Sequence, residues 1–496
     1  SYSGVTTVSA GVLNIQGGSA LGGTAGATVV ASGAVLELQG GVSVSGEGLT
    51  ISGTGIASGG ALRSISGNNV WGGAVTLGAA SRINSDSDLL TIGSGISGTN
   101  VGLSVGGAGN VVVSGAIGLG SGGLTKDGVG TLTLDGVNTY SGATLVNAGS
   151  VVVNGSIGGL GVTVAAPGVL SVNSAGQLNG LSDLSLSGVG NFWNGTQGLG
   201  TLNGAGTLNL NGTVLNVGSG TFSGVIGGSG SVVKSTAGSA LVLSGNNVFS
   251  GGVSLSGGTL RVGSDTALGS GLFTMSGGTI SSSSTSARTL ANGLSLSGVL
   301  GMGDTTLNGS LTFGGTGVFG ADVTLNVMSG VVLNGSLSGG DGLTKIGSGT
   351  LTLGGVNSFS GATVVNAGSL IAVSGALAQT SSVAVNGARL QAVDYSVNAP
   401  LSVDGSGYAV ISGSGLSLGN VSNANVTLNA VNFSASSGTI TVGSLSGLGN
   451  TRFGSNATLT GGMNEGVVSV VGLLNGNIFG GSVSANALIA GTVSGG

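Results

Sequence analysis

GVGTLTLDGVNTYSGATLVNAGS, residues 128–150, returns as GSGTLTLGGVNSFSGATVVNAGS at residues 347–369, 219 positions later. Aligned over 123–150 and 342–369, 22 of 28 positions are identical. A worn third copy, SVVKSTAGSALVLSGNNVFSGGVSLSGGTLRVG, occupies 231–263. Its Lys234 answers to Lys126 and Lys345, and its Phe249 to Tyr140 and Phe359. Partial copies stand at 1–15 (SYSGVTTVSAGVLNI) and 67–77 (GNNVWGGAVTL). Tyr2, Trp71 and Tyr140 then fall at equal intervals of 69, so the long units are multiples of a shorter one. A chain written this way points to a stack of like supersecondary units, each completing the core of its neighbour.

Within a unit the pattern is that of strands. TLTL alternates polar and apolar with period two, and Val, Leu, Ile and Thr runs are cut every 6–10 residues by Gly, Asn, Ser and Asp. No segment shows a 3.6-residue apolar period behind a capping residue, so helix content should be close to nil. The side chains are also small: 111 of 496 residues are glycine and only 3% are aromatic. A sandwich would need no self-similarity and would bury large aromatics. The reading is an all-β, right-handed parallel β-helix (β-solenoid), a single elongated rod of roughly 20–25 residues per coil with coils about 4.8 Å apart. Glycine corners supply positive φ, and Asn138 with Asn357, and Asn147 with Asn366, are candidates for stacked amide ladders. Residues 1–375 read as the repeat-bearing solenoid. Residues 376–496 read as its diverged continuation, marked by Arg389, Asp394, Pro400 and Asp404.

The string G-x-G-T-L-T-L-x-G-x-N-x-(Tyr/Phe)-S-G-A-T-x-V-N-A-G-S resembles the autotransporter-associated β-strand repeat of bacterial surface proteins. The likeness is strongest at 123–156 and 342–375, weaker at 231–263, and partial at 1–15 and 67–77. It implies a β-helix displayed or secreted outside a Gram-negative-type cell. It also implies a C-terminal translocator barrel, whereas the sequence stops at ALIAGTVSGG. The expectation is that the barrel is cleaved off or that export runs by a different system. No basic-then-apolar leader precedes Ser1, so a mature or trimmed form is expected.

Several functions are disfavoured by what the sequence holds. Histidine and cysteine are both absent, which removes Ser-His-Asp triads, thiolate metal sites and disulfides. A net charge of −5, with nine Lys and Arg spread singly, makes no basic stripe for nucleic acid. No run approaches eighteen apolar residues; the best, at 466–474, is broken by a serine, and aromatic girdles for a membrane barrel are missing. Asp86 with Asp88, Asp127 with Asp135, and single Asp304, Asp322 and Asp341 could in principle supply a carboxylate pair. Lacking nearby aromatics, Asp86 and Asp88 read as a solvated turn, and GGDG at 339–342 as an ordinary turn, not a calcium repeat. Lys126, Lys234 and Lys345 read as exposed charges that keep one face from sticking, the alternative being a basic line for anionic glycans. The recurrent aromatic (Tyr2, Trp71, Tyr140, Phe249, Phe359) reads as a corner plug or surface ridge.

The sequence therefore gives no catalytic, cofactor-binding or metal-ligating residue, and no cofactor. The expected role is a non-enzymatic extracellular fibre, sheath or surface stalk, the alternative being an adhesin that binds glycans or surfaces. Joined, the two ends read AGTVSGG-SYSGVTTVSAG, close to the repeat at 241–258, so head-to-tail association with other copies of itself is expected.

Overall fold

A computed structural model describes residues 2–393, except Leu181 and Asn194, and the strands between 396 and 494; side chains are described to 393 and at a few positions up to 410. Asp394, Pro400 and the side chain of Asp404, singled out above, lie outside the described residues, as do Ser1 and Gly466. The fold is a β-solenoid of parallel strands. Among the described residues the helical content is one 3-10 turn, Ile56–Ser58, and no helix is long and apolar enough to cross a membrane.

The chain forms two compact units, residues 1–233 with 240–251, and residues 234–239 with 252–496. In the first unit a ten-stranded parallel sheet runs from Ser43–Val44 to Val225–Gly227 and makes one wall of the solenoid. Its central strand, Thr131–Leu134, lies between Asn110–Val113 and Ser150–Val153. Alternation sends Leu132 and Leu134 inward and leaves Thr131 and Thr133 half-buried on the outer surface. The inward positions stack as ladders, one of them Val111, Leu132, Val151 and Leu170, all buried. Each rung covers the apolar face of the one before, so a core one side chain thick becomes dry by repetition. Other walls carry strands such as Leu124–Lys126 and Thr144–Val146, giving about three strands per coil.

On this wall the coils are first 21 residues long, as from Leu90 to Val111 and from Val111 to Leu132, within the expected range, and then become shorter than expected. Leu132 pairs with Val151, Val151 with Leu170, and Leu208 with Ile226, steps of 19, 19 and 18 residues. Part of the shortening falls at the turn after the lysine strand: four residues separate Lys126 from Thr131, but only three separate Val146 from Ser150 on the next coil.

The second unit repeats the arrangement. Val331, Leu351, Leu370, Leu390 and Ala409 stack inward on successive parallel strands. Strands after residue 376 pair with those before it, Thr363 with Val383 and Ser369 with Arg389.

Candidate functional site

The residues that recur from copy to copy are the natural place to look for a site. The strand Leu124–Lys126 continues the inward alternation, so Lys126 points into the solenoid beside Leu124. Lys126 is 2% exposed, and Lys234 and Lys345 are fully buried. The expectation of exposed charges, and with it a basic line for anionic glycans, is overturned.

Each ammonium is held chiefly by main-chain oxygens, from its own turn and from the next coil. Lys126 Nζ donates to the carbonyls of Asp127 and Gly128, both at 2.7 Å, and to Ala148 of the next coil at 3.4 Å. Lys345 donates to Ile346 (3.1 Å), Gly347 (2.7 Å) and, one coil on, Ala367 (2.9 Å). Lys234 donates to Thr236 O, to Ser239 Oγ at 3.1 Å and to Gly257 O at 3.4 Å. Three donors meet three acceptors, which is what an ammonium needs out of water. The turn is closed over the charge by glycines at positive φ, Gly149 (65°) and Gly368 (63°). A Cβ there would stand 2.8 Å and 2.9 Å from the lysine nitrogens. Burial pushes Lys126 and Lys345 down to about 8, and lowers Lys234 as well.

The asparagines of the repeat have a related task. Asn138 Oδ1 accepts from the Ile117 N–H (2.9 Å), and its Nδ2 donates to Ser156 O (2.6 Å). Asn357 does the same between Leu337 N–H and Ala376 O, both at 2.8 Å. These are clamps on the backbone of the coils on either side, not the amide ladder expected of them. Asn366, the other kind of candidate, does join an amide-to-amide ladder, accepting from Asn386 Nδ2, and a further one runs from Asn173 to Asn154.

The recurrent aromatics are corner plugs. Trp71, Tyr140, Phe249 and Phe359 are buried, and only Tyr2 is exposed. The Tyr140 hydroxyl meets Thr144 Oγ1 at 2.7 Å, and Tyr2 pairs with Thr6 four residues on in the same way. Burial pushes Tyr140 up to about 12. Phe359 instead packs against Phe319, with ring centroids 5.2 Å apart.

Six of the seven candidate carboxylates, all but Asp341, are engaged separately. Asp86 accepts from Arg63 Nη2 at 2.6 Å, and Glu37 meets the same guanidinium at 3.4 Å. Asp88, at φ 58°, accepts from the Gly67 N–H at 2.8 Å. Arg82 grips Asp127 with both Nη atoms, at 2.7 and 2.6 Å, across an intervening coil. The crossing requires glycine at 106, since a Cβ there would fall on both Arg82 Nη2 and Asp127 Oδ1. Asp135 accepts from Asn154 (2.7 Å), and Asp322 from the Gly342 N–H (2.8 Å). Asp304 is held at about 2, chiefly by the Thr306 N–H and hydroxyl, with the Leu307 N–H and Arg261 assisting. Among the described residues, no three His, Cys, Asp or Glu side chains gather as a metal site would require.

What fold and recurring residues define together is a repeat-built parallel β-solenoid. The chain carries four copies of the passenger-associated-transport repeat, at residues 1–15, 124–153, 238–262 and 343–372. The partial copy at 67–77 is outside those matches. No curated protein and no solved structure matches the chain. Repeat and fold together fit an autotransporter passenger domain.

Proposed function

We propose that the chain is a non-enzymatic structural passenger, a solenoid that serves as stalk or sheath on a bacterial surface. One observation carries this reading: the residues that the repeat keeps are spent on the fold. Lys126 and Lys345 tie turns, Asn138 and Asn357 clamp neighbouring coils, Tyr140 and Phe359 plug corners, and Leu132 and Leu351 fill the core. Duplication has copied a scaffold, whereas duplication of a binding or catalytic unit would copy outward-facing chemistry. Fibre formation is the finer form of this reading, because edge coils of parallel solenoids offer unpaired backbone groups to a second copy.

Treating intact cells of the source bacterium with a protease tests the proposal. The chain should be cut or released while cytoplasmic proteins stay whole. Protection until the cells are lysed would contradict it.

A further inference from the structure

A corner column of the first unit departs from the repeat in its outward chemistry. The residues that follow the inward positions Leu134, Val153, Val172 and Phe192 are Asp135, Asn154, Asn173 and Trp193. Parallel register sets them on consecutive coils: the N–H groups of Asn154, Asn173 and Trp193 bond to the carbonyls of Leu134, Val153 and Val172. Three of the side chains form a continuous polar row. Asn154 Nδ2 donates to Asp135 Oδ1 at 2.7 Å, and Asn173 Nδ2 donates to Asn154 Oδ1 at 2.6 Å. At the next step stands Trp193, with 45% of its surface open to water. The chain's other tryptophan, Trp71, is fully buried.

This exposure is not what the solenoid needs. Every core aromatic of the described residues lies inside the coils, and Trp193 adds nothing there because its neighbour Phe192 already fills that rung. An open indole beside a row of amide and carboxylate groups has the two halves of a sugar-binding surface: a flat apolar plate for the C–H face of a ring, and hydrogen-bond partners for hydroxyls. Coils rise by about 4.8 Å, comparable to the length of one pyranose unit, so an extended β-linked chain lying along the column would meet one position per ring.

We infer that Trp193, Asn173, Asn154 and Asp135 form a subsite for an extended neutral glycan. The carboxylate of Asp135 disfavours uronic acids at the end of the row, so the ligand is a neutral polymer and not an acidic one. The inference goes beyond the structural role proposed above and can fail without touching it.

Tryptophan fluorescence provides the test. A Trp71→Phe background leaves Trp193 as the sole reporter, and it removes an indole N–H that has no partner in the core. The full chain is titrated with cellohexaose, chitohexaose and a galacturonic acid hexamer, with calorimetry in parallel on the parent protein. Expected is a blue shift with at least one neutral hexamer. In calorimetry, Trp193→Ala and Asn173→Ala should each weaken that binding about tenfold or more, with melting unchanged. No response to either neutral hexamer, undiminished binding by Trp193→Ala, or tighter binding of the galacturonic acid hexamer would overturn the inference.

Discussion

Replacing Leu351 by aspartate is expected to cost about 4 kcal/mol or more, because an unpaired charge would enter a dry ladder. Leu351 is fully buried between Val331 and Leu370, its partners on the coils before and after. Nothing within that stack can solvate a carboxylate. A solenoid's stability is close to a sum over coils and their nearest neighbours, so the damage should be local. Hydrogen exchange should show lost protection from about the Val331 strand through the Leu370 strand, while strands of the first unit keep theirs. Leu351→Met, which conserves volume, should cost less than about 1.5 kcal/mol. An aspartate variant that melts and exchanges like the parent would mean that the inward assignment of TLTL is wrong.

The second large effect belongs to the buried lysines. Lys345→Met is expected to destabilise by about 3 kcal/mol, since it strips the donor from the carbonyls of Ile346, Gly347 and Ala367. Relief from burying a charge works in the opposite direction. The carbonyls should win, because a thioether donates nothing and each abandoned acceptor costs on the order of 1–3 kcal/mol. The same lysines set a pH dependence. Lys126 and Lys345 release their protons near 8 in the folded chain, against about 10.4 for a free lysine. Between those values the unfolded chain binds more protons, so stability should rise with pH across that window and be level below it. Urea melts at pH 7, 9 and 10.5 check both points. The parent midpoint should climb with pH, and the Lys345→Met midpoint should start lower and climb less. A methionine variant as stable as the parent at pH 7 would show that the three carbonyls gain little from the ammonium.

How far the sequence revealed this depends on which residues are asked about. The alternation in TLTL was enough to place Leu132 and Leu351, because one buried wall leaves a period-two strand a single choice of face. The recurring aromatics were open to two readings, plug or ridge, and burial of Tyr140, Phe249 and Phe359 selects the plug. The lysines were misjudged through their charge, although the signal was present. In Leu124-Thr125-Lys126 and Leu343-Thr344-Lys345 the same alternation puts lysine on the face of leucine. What no string of letters displays is the pocket that makes this affordable: carbonyls from two successive coils, turned inward around Gly128 and Gly149. The backbone clamps of Asn138 and Asn357 are illegible for a similar reason. Asn138 finds its partners 21 residues before and 18 after, and only the register of the coils says which groups those are. The polar row ending at Trp193 was missed because its members are one coil apart and share no motif.

The account stands or falls on the parallel stacking of coils in this register, and engineered cysteine pairs test it directly in a chain that has none of its own. Thr133 and Val152 are outward-facing partners on adjacent coils, and Ser171 lies one coil further along the same column. Adjacent Cα atoms should be about 4.8 Å apart, inside the range a disulfide spans, and the two-coil distance of about 9.6 Å lies outside it. The Thr133→Cys/Val152→Cys protein should therefore oxidise to an intramolecular disulfide, and the Thr133→Cys/Ser171→Cys protein should keep both thiols free. Failure of the first pair to close, or closure of the second in its place, would contradict the solenoid described here.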